Sequence, residues 1–124
     1  MTEPLHRSWR PAWPCPVGQV WGTFKRGLAD PTYKVIDGRH WRALNTPVGT
    51  TTLAVRTLDA SGVIEAEAWG DGAAWALDDL PQMLGASDDP SGFRPSHQLL
   101  AELHRSRPHW RIARTASVWD ALVP

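Results

Sequence analysis

The groups in this 124-residue chain that can do chemistry are five histidines, thirteen carboxylates and one cysteine. The histidines are His6, His40, His97, His104 and His109. A zinc site needs three or four converging ligands, and none of the five pairs with another His or Cys at a metal-motif spacing. His97 and His104 are seven apart and share a helix face, but the nearest carboxylate, Glu102, falls on a different face. No metal site is expected. The paired carboxylates, Asp78-Asp79 and Asp88-Asp89, are not read as a general acid and base. Neighbours on a helix diverge, and Asp88-Asp89 precedes Pro90 in a loop, where aspartate favours turns. No Gly-x-Ser-x-Gly elbow carries a nucleophile. Cys15 sits in a proline-rich stretch with no helix end to lower its pKa. Gly70-Asp71-Gly72 lacks both the Lys-Ser/Thr of one phosphate loop and the third glycine of the other. No catalytic residue and no cofactor is expected.

One constellation points to a ligand. Arg105, Arg107, Arg111 and Arg114 precede a predicted helix start at Thr115 or Ser117. Arginines ahead of a helix N-terminus can grip a phosphate. Arg111, Arg114 and Thr115 are therefore the candidate DNA-backbone contacts. The competing reading is a solvated basic connector.

The elements that must position these groups are legible in the pattern. Hydrophobic residues make up 42% and charged residues 21%, which fits one globular domain and excludes disorder and coiled coil. No apolar run is long enough for a membrane span or a signal peptide, so no membrane partner and a cytoplasmic setting are expected. A single cysteine excludes an internal disulfide framework. Formal net charge is zero, which argues against holding nucleic acid by bulk charge. Its distribution is zoned: residues 43–92 carry eight acidic side chains and only Arg56 as a base, while residues 1–42 carry seven basic and three acidic ones.

Residues 1–16, with Pro4, Pro11, Pro14 and Pro16 around Trp9 and Trp13, predict an extended arm. Residues 17–25 alternate and predict a first strand. Asp37-Gly38 between two β-rich runs predicts a two-residue hairpin with positive φ at both central positions. Pro47-Val48-Gly49 predicts another turn, followed by a strand over 50–58 with Leu53, Val55 and Thr57 on one face. Asp59-Ala60-Ser61-Gly62 predicts a second hairpin into a strand over 63–69, with Ile64, Ala66 and Ala68 inward and Glu65 and Glu67 outward.

The period then changes. Ala73, Leu77 and Leu80 share a helix face, with Asp71 as the expected cap, Pro81 as a kink or restart and Gly85 as the stop. Residues 86–95 read as a loop. Ser96 is the expected cap of a second helix over 97–106, whose apolar face is Leu99, Leu100 and Leu103. A third helix is expected from Thr115 or Ser117, with Val118, Trp119 and Leu122 on one face. The class is α+β: an antiparallel β-sheet of four to five strands followed by two to three helices. The division is an arm over 1–16, a sheet-plus-helix domain over 17–95, and the start of a helical domain over 96–124.

A more specific resemblance rests on the order of several short motifs. These are Asp30-Pro31-Thr32, Trp41-Arg42-Ala43 and Thr46-Pro47, then Ala68-Trp69-Gly70-Asp71-Gly72-Ala73-Ala74-Trp75-Ala76-Leu77. Leu80-Pro81, Leu84-Gly85, Asp88-Asp89, Phe93, Pro95 and His97 follow, and Arg107-Pro108-His109-Trp110-Arg111-Ile112 leads into residues 118–122. Over roughly residues 17–124 this order resembles the N-terminal domain of bacterial DNA-3-methyladenine glycosylase II proteins, of the helix-hairpin-helix glycosylase superfamily. The resemblance implies a sheet similar to half of a TATA-binding-protein fold. It implies a role in base excision repair, in which the full-length enzymes flip alkylated bases such as 3-methyladenine out of DNA and hydrolyse the N-glycosidic bond. In that family the helical domains carry the hairpin and the catalytic aspartate, and no acidic residue here matches it. The expectation is a truncated, non-catalytic portion, inactive alone, whose partner is the missing helical catalytic domain and, through it, alkylated duplex DNA. The alternative is a stand-alone module that binds nucleic acid or protein through sheet aromatics such as Trp41 and Tyr33.

Overall fold

The computed structural model describes residues 3–58, 61–107 and 111–114. Five strands form one antiparallel sheet: β1 (Leu5–Trp9), β2 (Tyr33–Ile36), β3 (Arg39–Thr46), β4 (Gly49–Leu58) and β5 (Val63–Trp69), in the spatial order β1-β5-β4-β3-β2. With them go helices α1 (Val17–Trp21), α2 (Ala73–Met83) and α3 (Gln98–Ser106). The α+β class is as the pattern predicts.

The hairpins follow from their turns. Ile36 pairs with Arg39 across Asp37 and Gly38, which adopt φ of 51° and 78°. Such values match the twist of the flanking strands and favour Gly and Asp. Thr46 pairs with Gly49 around Pro47-Val48, and Leu58 pairs with Val63. Asp59 and Ala60 of that second turn lie outside the described residues, as does the whole expected third helix.

Alternation decides which face is covered. Leu53 and Val55 of β4 and Ile64, Ala66 and Ala68 of β5 are fully buried, whereas Thr57 is exposed. Helix α2 packs on β1, β4 and β5, and α1 packs on β4. Trp21, Leu80, Met83 and Leu84 complete this core. Glu65, Glu67, Trp69 and Trp41 alternate to the opposite face and are only half-buried.

Three expectations are corrected. Residues 17–25 are not a strand. Val17, Val20 and Trp21, the buried positions, stand at i, i+3 and i+4, the helical spacing, and Pro16 O accepts from Gln19 N and Val20 N to start the turn. Asp71 does not cap α2. The cap position is Gly72, with no side-chain bond. Ser96 does not cap α3 either. His97 does, its Nδ1 accepting from Leu99 N at 3.1 Å.

Two further features go beyond the expectation. Part of the arm, β1, is a sheet strand, paired in register from Leu5↔Ala68 to Trp9↔Ile64. As an edge strand between Pro4 and Pro11 it needs only one side of its backbone paired, which is why the prolines are tolerated. Helix α2 also runs through Pro81 rather than breaking there. Proline removes the N–H that would bond Leu77 O. The guanidinium of Arg7, reaching from β1, donates to Leu77 O and lies 3.3 Å from Asp78 O. The sheet edge thus satisfies the carbonyl that the helix leaves open.

Candidate functional site

The apolar face of α3 is where the structure leaves packing unfinished among the described residues. Leu99, Leu100 and Leu103 lie on that face at helical spacing, yet Leu99 is 57% and Leu100 49% exposed, and none of α3 is buried. Phe93 stacks on His104 with ring centroids 5.0 Å apart, holding the loop against the helix. Between this helix and the α1 end of the core runs a groove of about 950 Å3, with Val20 and Phe24 on one wall, Leu100 and Leu103 on the other, and Ile112 beside them. Asp88 and Asp89 sit at its rim. Ser91 hydrogen-bonds to Asp89 through its side chain foremost and through its N at 3.0 Å, and these bonds hold the carboxyl below the usual range. Burial raises the pKa of Asp79 on α2, but Asp79 does not line the groove.

The arginine connector forms the groove's lower edge. Ile112 N donates to Asp88 Oδ2 at 2.7 Å, and Arg114 N to Gln82 O at 3.0 Å. Gly85 lets this strand of backbone come close: it has φ of 100°, and a Cβ there would stand 2.7 Å from Arg111 Cβ. The guanidinium of Arg111 lies 3.9 Å from the Trp13 ring centroid, so a tryptophan of the N-terminal arm is stacked on it. The candidate phosphate contacts therefore have unlike settings. Arg111 is half-buried and held by the fold, Arg114 is exposed, and Thr115 lies outside the described residues. Arg105 is exposed in the last turn of α3, and Arg107 is half-buried at its C-cap.

Cys15 belongs to the same corner. Its Sγ lies 3.9 Å from Leu84 O, and burial pushes the thiol up to about 11, with Arg111 opposing. A thiol so shifted is not a nucleophile near neutral pH.

A second cluster sits on the covered face. Tyr33 Oη is 2.9 Å from His40 Nδ1, and burial depresses the pKa of the imidazole. In the tautomer protonated at Nε2, Nδ1 accepts the phenol proton. The Arg42 guanidinium lies 4.8 Å from the Phe24 ring centroid and 5.5 Å from that of Trp21. Nearby, Asp30 accepts from Arg26 N and Thr32 N, each at 2.8 Å, and from Thr32 Oγ1 at 2.7 Å. These bonds, that from Arg26 foremost, keep Asp30 ionised below the usual range. In this structure Asp30-Pro31-Thr32 is an aspartate-anchored turn. Tyr33 is buried, 5% exposed, and does not present its ring to a partner.

On the open face of the sheet, Trp41, an aromatic expected to be presented there, meets a partner that the sequence pattern did not single out. Trp41 of β3 and Trp69 of β5 stack at 5.4 Å with an interplanar angle of 17°. Beside the stack, Arg39 pairs with Glu67 and Arg56 with Glu65. The missed signal was register: once β4 lies between β3 and β5, Trp41 and Trp69 fall on adjacent rows of one face.

Among the described residues no group of three or more His, Cys, Asp or Glu is placed to hold a metal ion, and no helix is long and apolar enough to cross a membrane. No protein-family model matches this chain, and no curated protein matches it.

Proposed function

We propose that this chain is the non-catalytic N-terminal portion of an alkylbase DNA glycosylase, acting in cytoplasmic base excision repair. In this reading its sheet is the half of a TATA-binding-protein-like fold on which such enzymes build. The helical catalytic domain docks on α3, and alkylated duplex DNA is reached through that domain. The motif order from Asp30 to Ile112 supports the reading. The structural observation that carries it is the exposed Leu99-Leu100-Leu103 face beside an apolar groove. A contiguous apolar surface of this kind marks an interface more often than a free surface.

The test is release of 3-methyladenine from methylated duplex DNA. The chain alone is expected to release none. Mixed with a separately produced helical domain of such an enzyme, it is expected to form a complex that Leu100→Glu and Leu103→Glu break. Base release by the chain alone overturns the non-catalytic part of the reading, and failure of any complex to form overturns the architectural part.

A further inference from the structure

We propose that the open face of the sheet binds an unpaired purine base as the third ring of the Trp41–Trp69 stack. The strand register sets the geometry. Trp69 lies opposite Thr52, and Trp41 opposite Ala54, one row further along the same face. On the other side of Trp69 the next row is Asn45 opposite Thr50. There the surface forms an open cup of about 400 Å3, bounded by Trp69, floored by Ala43 and Thr52 and edged by Thr32, Asn45 and Thr50. One ring face of Trp69 is taken by Trp41, and Trp69 also lines the cup.

The chemistry selects the ligand. An indole face takes a flat π-system by offset stacking. The Asn45 amide offers a donor and an acceptor side by side, the pair that matches the N6 and N7 edge of adenine. The small side chains of Ala43 and Thr52 leave room for a ring without moving backbone. No charged residue lines the cup. Both arginines of this face are paired with glutamates, and Lys34, opposite Trp41 on β2, adds a positive charge to the face but does not line the cup. The uncharged lining of the cup therefore suits a base or nucleoside. This proposal stands on the sheet alone, and adenosine binding and base release are separate measurements.

The probe is adenosine, titrated into the isotopically labelled chain while the indole N–H resonances are followed by NMR. The Trp69 resonance is expected to move in a saturable way, with a change of less than about twofold in affinity between low and high salt. Trp69→Ala is expected to weaken binding by roughly tenfold or more, the ordinary worth of a base–aromatic stack. Trp69→Phe, which keeps a ring on the sheet, is expected to retain most of it, and so separates loss of the platform from loss of the fold. Asn45→Ala is expected to weaken adenosine more than uridine. An immobile Trp69 resonance at millimolar adenosine overturns the proposal. So does an equal response to glucose, or binding that requires duplex DNA and falls steeply with salt.

Discussion

His40 is a residue through which pH acts on this fold between pH 5 and 8. Burial lowers its pKa from the ordinary 6.5, so the folded chain resists a proton that the unfolded chain accepts. The stability due to the neutral ring is complete above pH 6.5 and is lost as pH falls through the window beneath it. Urea midpoints measured from pH 8 down to pH 5 should fall on acidification, and His40→Phe should flatten that limb. The same variant should lower stability at pH 8 by about 1 kcal/mol, because Tyr33 loses its partner. On the exposed side of the molecule the expectation is opposite in kind. Leu100→Ser at a half-exposed position should change stability by no more than about 0.5 kcal/mol, read by the urea midpoint at pH 8.

Between elements, the Arg7–Leu77 bond and Pro81 form one unit. Arg7→Ala should cost about 1–3 kcal/mol, because a helix carbonyl loses its donor. In a Pro81→Ala background the helix regains its own N–H, and the cost of Arg7→Ala should shrink. A double-mutant cycle by chemical denaturation reads this coupling, and additive effects would contradict it. Gly85→Ala should destabilise as well, since φ of 100° strains an alanine and its Cβ would press on the Arg111 side chain.

The elements also show how far a sequence speaks. β2 to β5 were readable because short turns set register and alternation sets the face: Asp37-Gly38 for one hairpin, Ile64-Ala66-Ala68 against Glu65-Glu67 for one strand. Residues 17–21 were misread although Val17, Val20 and Trp21 stand at the helical i, i+3 and i+4 positions, because a five-residue run is too short for its period to stand out before it packs on β4. β1 was hidden by its prolines, which announce an arm and say nothing of an edge it can join. For the site, the α3 leucines were legible as one face. The Trp41–Trp69 stack was not, because it joins residues 28 positions apart through a strand order that local pattern does not contain.

At the scale of the molecule, the two ends of the described chain meet over the C-terminal end of α2. Arg7, Trp13 and Cys15 come from one side and Arg111, Ile112 and Arg114 from the other. Trp13→Ala should therefore loosen residues 111–114 more than the sheet. Hydrogen exchange should report faster exchange at Ile112 and Arg114 with β4 unchanged; uniform acceleration would count against the link.

The pairing of β1 with β5 has a consequence for biosynthesis. The partners Leu5 and Ala68, or Trp9 and Ile64, are separated by most of the sheet. At ordinary translation speeds β1 waits roughly 3–12 s for its neighbour, while the hairpins between them close almost at once. A nascent chain therefore carries β1 as a loose ribbon with Trp9 in view until β5 emerges, and closure of this sheet edge is a late step of maturation rather than the first.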